Sequence, residues 1–378
     1  MAITQIPPRG IEPGARRINA QPIIINGDCA IAQRATSATG KTASGYYACD
    51  RWHLNISSLG TWTIAQEALS SGNAYDNGFR TALRFDCTTA DASPSAADHG
   101  YFRQKLEAQN IQMFKKGTSN AEKYTLAFWV KSNKTGTNIF TCGLYDHDNT
   151  RSVFQNYSIS SADTWEHKVL NFPADTSGVI ANDNAVGMDV RWYLGAGSNY
   201  TGGTQATSAW EAQTSANNLP SGKVNLADNT ANDIAITGVQ LEVGEFDSDT
   251  LPSFQYETYG DNLSRCQRYY QKIAEGNGKR WDLVSSARTT SYVDFVFPCT
   301  VVMRTQPTLD AVSGTDYYYV YSSNGGYDKF TVPVINSNYN EGSMLVTGYY
   351  NGGSYTAGDS LFASTDNASA YLALDAEL

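Results

Sequence analysis

Aromatic side chains are the residues of this sequence whose types and positions point most directly to ligand chemistry. The 378 residues include 24 tyrosines and seven tryptophans. Aromatic rings stack on the C–H faces of pyranose sugars, while neighbouring amides and carboxylates bind hydroxyl groups directionally. Four residues in the first two thirds of the chain are therefore candidate sugar-binding side chains: Trp129, Tyr193, Tyr200 and Trp210. Packing in a core is the alternative role for each, because tryptophan is buried on average.

Tyrosine is also concentrated near the end of the chain. Eleven of the 24 tyrosines follow Trp281, where Asn-Gly-Gly turns separate short apolar runs. Tyrosine gives a large amphipathic contact at low entropic cost, so tyrosines clustered on loops are typical of recognition surfaces. Tyr349 and Tyr350 are the candidate ligand-binding residues of this region.

The sequence lacks the motifs of common enzymes. The four histidines are not spaced as zinc ligands, and no G-x-S-x-G elbow provides a nucleophile beside one of them. Gly40-Lys41-Thr42 lacks the preceding glycine of a phosphate-binding loop. With 37 acidic residues, a pair of carboxylates at glycosidase spacing is expected by chance and has no diagnostic value. We therefore predict a protein that is not an enzyme and that has no cofactor apart from the calcium considered below.

Charge and hydropathy exclude two kinds of partner. The formal net charge of −10 disfavours binding to nucleic acid, which depends on clustered Lys and Arg. No apolar run reaches the length of a membrane span, and the first residues lack a signal-peptide core. The six cysteines form no C-x-x-C pair and are expected to be buried free thiols.

Alternating apolar residues predict β-strands over most of the chain. Leu83, Phe85 and Cys87 share one face of such a strand, and similar runs begin at Tyr124 and Val186. Further strands are predicted at residues 23–25, 51–56, 62–66, 138–145, 153–159, 165–172 and 234–241. About ten strands separated by turn residues are typical of a jelly-roll β-sandwich, predicted here for residues 22–258. Residues 195–233 lack periodicity and are predicted to be a binding loop, a clamp on a neighbouring subunit or a disordered segment.

A short connecting helix is predicted at residues 259–276. Asp261 or Asn262 offers an N-cap and Gly276 a stop. The helix would carry one narrow apolar stripe that either packs on a sheet or contacts sister subunits. The stripe consists of Leu263, Cys266, Tyr270 and Ile273. Residues 277–378 then return to strand patterns, so the predicted fold is all-β: a jelly roll, a short helix and a second, smaller β-sandwich domain.

Several segments resemble one family in the correct order. These are IIINGDCAIAQR (23–34), CDRW (49–52), YTLAFWVKS (124–132), DTWEHKVLNFP (163–173), ITGVQLEVGEF (236–246), CQRYYQ (266–271) and MRTQPTL (303–309). They resemble the carbohydrate-binding-like jelly-roll module of bacteriophage and prophage tail-fibre proteins, especially those of marine phages. VQLEVG followed by CQRYYQ is the most distinctive part, and the resemblance covers residues 20 to 310.

The resemblance implies a role on a virion assembled in the cytoplasm of a host bacterium. It implies a homotrimeric fibre or tip protein that binds host cell-surface polysaccharide for adsorption. Residues 1–21, with three prolines and excess arginine, would form an arm that docks on other tail or capsid proteins, unless they are a disordered terminus. The C-terminal domain would be the receptor-binding tip.

The resemblance also implies a structural calcium site, because related jelly rolls often hold calcium between the first and last strands. The matching positions here are Asn26, Asp28 and Glu242, with Gly27 between the first two. Calcium requires six to eight oxygen ligands, and Asn-Gly-Asp is equally the sequence of a plain turn.

Two other functions remain open at this point. One is an architectural virion protein, such as a capsid decoration or tail adaptor, that binds no ligand. The other is a tailspike that degrades polysaccharide, although no repeat of 20 to 30 residues is present.

Overall fold

The computed structural model describes residues 21–281, 284–322, 327–335, 342–349 and 355–378. The chain divides into two compact units, Met1–Tyr259 with Leu378, and Gly260–Glu377. Apart from Gln21, the predicted docking arm lies outside the described residues.

The N-terminal unit is built from short antiparallel strands. In the described part of this unit they are β1 (Ser37–Lys41), β2 (Gly45–Tyr46), β3 (His53–Ser57), β4 (Thr61–Ala68), β5 (Thr81–Thr89), β6 (His99–Glu107), β7 (Tyr124–Ser132), β8 (Phe140–Asp146), β9 (Arg151–Tyr157), β10 (Glu166–Phe172), β11 (Val186–Ala196), β12 (Glu211–Ala212) and β13 (Asp233–Val243). Helical turns are short: α1 (Asn73–Asp76) and 3₁₀ turns at Ala108–Phe114, Ser198–Tyr200 and Ser215–Asn217.

These strands form two sheets that face each other. The first sheet has the order β1-β4-β5-β13-β7-β10, and the second has the order β12-β9-β8-β11-β6-β3-β2. The chain passes repeatedly from one sheet to the other, and all the strand pairings are antiparallel. This alternation defines a jelly-roll sandwich and confirms the predicted fold class.

The core between the two sheets consists of large apolar side chains from alternate strand positions. Trp192 on β11 stacks on Phe102 of β6, with ring centroids 5.5 Å apart. Phe102 in turn stacks on Phe85 of β5 in the opposite sheet at 4.5 Å. All three side chains are buried, so the inward residues of the second sheet are fixed by packing. The residues that alternate with them must therefore point outward.

The strand predicted at residues 23–25 is wrong. This segment forms an irregular turn that packs beside the sheets, with Ile24 buried in the core. The amide of Ile25 donates to Gln104 Oε1 at 2.8 Å, and Gln104 Nε2 donates to the Ile25 carbonyl at 2.8 Å. One buried glutamine side chain therefore satisfies the backbone groups that a neighbouring strand would otherwise pair.

The C-terminal unit is smaller and also built of strands. In its described part they are β14 (Tyr270–Glu275), β15 (Val284–Ala287), β16 (Tyr292–Pro298), β17 (Thr308–Ala311), β18 (Tyr318–Ser322), β19 (Tyr327–Phe330), β20 (Val334–Ile335), β21 (Ser343–Tyr349), β22 (Leu361–Thr365) and β23 (Tyr371–Asp375). They form three small sheets, β14-β23-β17, β15-β16-β21-β20 and β19-β18-β22. The sheets enclose a separate apolar core that includes Phe295, Tyr318 and Val346.

The predicted helix is present but ends earlier than predicted. Helix α2 spans Tyr259–Gln267, and the chain enters strand β14 at Tyr270. Tyr270 pairs with Asp375 of β23. The predicted helix over residues 259–276 is therefore wrong at its C-terminal end, because the tyrosine-rich sequence at 269–270 is better suited to a strand buried against β23. Within the described residues, no helix is both long and apolar enough to cross a membrane.

Candidate functional site

The outward side of the second sheet has an unusual concentration of charged and aromatic residues, which we call the polar face. Its members come from β3, β6, β8 and β11 and alternate with the core residues of those strands. Strand register places them in three adjoining rows: Asn55, Tyr101 and Tyr193; His53, Arg103 and Arg191; Lys105, Asp189 and Tyr145. Residues far apart in the sequence are thus brought together by strand pairing.

Asp189 is the centre of the polar face. Its carboxylate accepts hydrogen bonds from Arg191 Nε at 2.6 Å, Arg103 Nη1 at 2.9 Å and His147 Nε2 at 3.0 Å. Burial alone would raise the pKa of Asp189, but the charge of Arg191 and the hydrogen bond from His147 outweigh burial and hold this pKa well below its usual range. The carboxylate is therefore ionised near neutral pH and fixes both arginines in place.

Arg191 lies between two tyrosine rings. Its guanidinium carbon is 4.0 Å from the centroid of Tyr145 and 5.0 Å from that of Tyr101. Tyr101 and Tyr145 are half-buried, whereas Arg191 itself is buried. The stacking combines cation–π attraction with a rigid arrangement of planar groups, so these side chains are held in one orientation.

Several buried polar atoms on this face have no hydrogen-bond partner among the described residues. Two of them are Arg103 Nε and His53 Nδ1. Burial, together with the positive charges of Arg103 and Lys105, lowers the pKa of His53 to about 3, so its imidazole is neutral near pH 7. Each unpaired buried polar atom costs on the order of 1–3 kcal/mol. Each such atom calls for a physical explanation, such as an ordered water, a bound ion or stored strain.

The segment between β11 and β13, predicted to lack regular structure, packs over one end of the polar face. Leu219 of this segment is buried against Phe154 and Tyr193. Tyr200 Oη lies 2.8 Å from His99 Nδ1, and His99 Nε2 lies 3.2 Å from Asn55 Oδ1. The segment therefore covers the end of the polar face that contains Tyr193. The contacts of His99 with Tyr200 and Asn55 hold the segment in this position.

The four aromatic residues predicted as sugar ligands do not form one cluster. Tyr193 and Tyr200 lie at the covered end of the polar face. Trp210 is buried, its indole donates to the Pro173 carbonyl at 2.8 Å, and Lys116 Nζ lies 4.6 Å from its ring centroid. Trp129 lies on the other sheet.

Trp129 occupies the outward side of β7 in the first sheet. Its ring centroid is 5.0 Å from that of His167 on β10, and it packs against a small apolar cluster that contains Trp165 and Phe79. The side chain is half-buried. Trp129 is thus separated from the polar face by the whole thickness of the sandwich.

In the C-terminal unit, Tyr349 is 56% exposed. It lies opposite Tyr292 on the neighbouring strand, with centroids 5.2 Å apart, and Tyr292 is 39% exposed. Tyr350 lies outside the described residues. Tyr292 and Tyr349 therefore form a pair of neighbouring, solvent-exposed aromatic rings on the surface of the C-terminal unit.

The residues that the family resemblance assigns to calcium have other contacts in this structure, and calcium binding stays a prediction. The Asn26 side chain is buried: its Oδ1 accepts from the Ile31 amide at 2.9 Å, and its Nδ2 donates to the carbonyls of Ile31 and Asp50. Asp28 is half-buried with its carbonyl accepting from Thr81, and Glu242 is buried on β13. Among the described residues, no three His, Cys, Asp or Glu side chains form a group that could hold a metal. Asn26 functions here as a backbone clamp of the turn.

The predicted apolar stripe for subunit contacts is divided between two elements. Leu263 and Cys266 lie on α2, whereas Tyr270 and Ile273 lie on β14. Cys266 and Tyr270 are completely buried within the single chain, and Tyr270 Oη donates to Asp310 Oδ2 at 3.2 Å. A continuous helical contact surface is therefore not formed, and trimer formation remains a prediction.

Sequence patterns did not reveal the central residues of the polar face. Strand β6, with sequence HGYFRQKLE, was not predicted, because Gly100 and Gln104 occupy inward positions where apolar residues are expected. The alternation of Tyr101, Arg103 and Lys105 on one side was the available signal. Asp189 and Arg191 lie on a strand that was predicted, but only register shows that they meet Arg103.

Comparison with known proteins gives structural similarities only. No family model matches the chain, and no curated protein sequence matches it. Among solved structures, a protein from Bacteroides thetaiotaomicron described as sugar-binding shares 15% identity over 59% of this chain and 100% of its own, with a TM-score of 0.32.

Two further similar structures contain xylan-related modules. The carbohydrate-binding and xylanase modules of a Clostridium thermocellum endo-1,4-beta-D-xylanase share 12% identity over 60% of this chain and 29% of their own, with a TM-score of 0.29. The xylan-binding domain of Paenibacillus barcinonensis Xyn10C shares 7% identity over 56% and 94%, with a TM-score of 0.24. At TM-scores this low, the similarities decide nothing about the ligand of this chain, whose sandwich is defined by its own strand order.

Proposed function

We propose that this chain is a non-catalytic glycan-binding protein of a bacteriophage virion and that its jelly roll binds sugar through the polar face. The observation that carries the proposal is Arg191, fixed by Asp189 between the rings of Tyr101 and Tyr145. The half-buried rings of Tyr101 and Tyr145 offer surface for stacking, and the partly exposed Arg103 beside them offers N–H groups for hydroxyl oxygens.

The electrostatics of the face favour binding over hydrolysis. Glycoside hydrolysis requires a protonated carboxylic acid that donates to the leaving oxygen. Asp189 has a pKa well below its usual range, because the charge of Arg191 and the hydrogen bond from His147 outweigh its burial. This carboxylate therefore cannot serve as the proton donor near neutral pH.

The place of the protein on a phage particle is supported by the sequence resemblance to tail-fibre proteins. In this proposal residues 1–21 dock on tail or capsid proteins, and the protein assembles as a trimer. Repeating a weak glycan site in such an assembly would raise the overall affinity for a host surface through avidity.

The test of glycan binding is an array screen with purified protein and two tyrosine variants. We expect Tyr145→Ala to weaken binding by about tenfold or more, because Arg191 loses one of its two stacking partners. Tyr75→Ala is the matched control: Tyr75 is also half-buried, and Arg80 lies 3.9 Å from its ring centroid away from the polar face. The control should bind as tightly as the unaltered protein.

Three results would contradict parts of the proposal. Binding to no glycan on a broad array would refute the glycan-binding role and favour the architectural alternative. Release of oligosaccharides from a bound polysaccharide would refute the non-catalytic role. Failure of the protein to compete with virions for host cells would refute a role in adsorption.

A further inference from the structure

Building on the proposed glycan-binding role, we infer that the ligand of the polar face is an acidic saccharide whose carboxylate or sulfate group binds beside Arg103. Two observations support this ligand: the excess positive charge around Asp189 and the partly exposed position of Arg103. These observations are independent of any similarity to other proteins.

The charge balance around Asp189 is positive. Arg103 and Arg191 both donate to the single carboxylate of Asp189, which leaves one positive charge in excess at this point, two minus one. Lys105 on the same face donates separately to the oxygen of the terminal residue Leu378. The whole protein has a formal net charge of −10, so this local excess opposes the general charge of the molecule. Arg191, the buried cation, is paired through two N–H groups with Asp189, so the excess charge is that of Arg103, and a bound anion would compensate for it.

The lowered pKa of His53, on the adjacent strand β3, also indicates excess positive charge near Arg103. His53 is the cross-strand neighbour of Arg103. Its pKa is lowered to about 3 by burial and then by the charges of Arg103 and Lys105, and the opposing influence of Asp189 is smaller. The positive potential therefore persists next to Arg103 even with Asp189 in place.

Arg103 has the geometry needed to bind an acid group. Its Nη1 is occupied by Asp189, whereas its Nε has no hydrogen-bond partner among the described residues. The Nε itself is buried, and the side chain as a whole is 12% exposed, so a ligand would contact Arg103 through the exposed part of its guanidinium. Guanidinium groups bind carboxylate and sulfate oxygens through paired N–H bonds, which are about twice as strong as bonds between neutral groups. A neutral sugar hydroxyl would leave the excess charge uncompensated.

The experiment compares two acidic polymers with their neutral counterparts. Polygalacturonate is paired with fully methyl-esterified polygalacturonate, and dextran sulfate is paired with dextran. Dissociation constants are measured by calorimetry with the complete protein at physiological salt. Array screening against a broad set of neutral and acidic glycans runs in parallel, because it tests the underlying glycan-binding role by itself.

We expect at least one acidic polymer to bind about tenfold or more tightly than its neutral counterpart. Whether the uronate or the sulfate polymer shows this preference identifies the source of the charge, and either result supports the inference. Arg103→Gln should abolish the preference. Arg84→Gln is the matched control, because Arg84 also pairs with an aspartate, Asp233, but on the first sheet. It should keep the preference.

Arg103→Gln must be shown to fold, by its circular dichroism and thermal unfolding. If it does not, Arg103→Lys keeps the positive charge beside Asp189 but removes the planar fork, and it should reduce the preference severalfold.

Distinct results contradict the inference and the proposed function. Array binding confined to neutral glycans would overturn the inference while the glycan-binding role stands. Acidic preference that survives in both Arg103 variants would also overturn the inference, because it would place the anion elsewhere. Binding to no glycan on the array would overturn the proposed function itself.

Discussion

At the scale of single residues, the polar face shows how burial and neighbouring charge set protonation. His53 is buried beside Arg103, and its ring packs edge-on to Tyr46 with centroids 4.8 Å apart. Its pKa falls from 6.5 to about 3 through burial and the charges of Arg103 and Lys105. The folded protein therefore holds this imidazole neutral in a pH range where the unfolded chain would protonate it.

This difference predicts an acid-sensitive contribution of His53 to stability. The unfolded state binds one more proton than the folded state between about pH 6.5 and pH 3, so stability is complete above 6.5 and falls by roughly 1.4 kcal/mol per pH unit below it. We expect the free energy of unfolding of the unaltered protein to drop about 2 kcal/mol more than that of His53→Gln between pH 7.5 and 5. Urea unfolding at the two pH values measures this, and an equal drop in both proteins would contradict the assignment.

At the scale of secondary-structure elements, a bulge in β13 joins the N-terminal turn to the sandwich. β13 pairs with β5 only from Asp233 to Ile236, and its register with β7 shifts between Thr237 and Gln240. Beyond this point the Val239 amide donates to the Gly27 carbonyl at 2.9 Å. The turn that was predicted as a strand thus takes the place of β5 beside the end of β13.

The bulge requires glycine at position 238. Gly238 has φ +59°, and a Cβ there would lie 2.5 Å from Phe79 Cζ. Gly136 is the matched control, since its φ is +73° but no atom lies within 4 Å of the position of its Cβ. We expect Gly238→Ala to cost about 1–3 kcal/mol of unfolding free energy more than Gly136→Ala, which adds backbone strain but no clash. Equal losses in chemical denaturation would show that Phe79 moves aside freely.

Elements with clear alternation were predictable from the sequence, whereas those with mixed inward residues were not. β7 was predicted because its inward residues Tyr124, Leu126 and Phe128 are all large and apolar. β6 was missed because its inward Gln104 serves the backbone of Ile25 rather than the core. The predicted end of helix α2 was too late, because apolar residues spaced three and four apart happen to continue into strand β14.

The candidate site was less predictable than the fold for a related reason. Arg103, Tyr145 and Arg191 lie on three strands, and their proximity depends on strand order and register rather than on sequence spacing. The aromatic residues chosen from the sequence were identified by type alone. Trp210 was predicted to bind sugar, but its ring is buried and packs against the ammonium group of Lys116.

At the scale of the whole molecule, each unit has an apolar core of its own. The core of the N-terminal unit is formed by residues between Ile23 and Val243, and that of the C-terminal unit by residues between Ala274 and Ala376. Cores that share no residue are expected to be lost in separate cooperative steps.

Calorimetry of the complete protein should therefore resolve two unfolding transitions. Gly238→Ala should lower the midpoint of one transition, and Val346→Ala, which removes two methyl groups from the buried core of the C-terminal unit, should lower the other. A single transition that shifts with both substitutions would contradict independent unfolding.

The short strands at the two edges of the second sheet affect how copies of this protein associate when they are close together. Its outermost strands, β2 and β12, contain only two residues each, so each edge offers little unpaired backbone to a strand from another molecule. Very short edge strands are a known protection against edge-to-edge aggregation. Many copies could be held close together, with their polar faces presented side by side, without polymerising through this sheet.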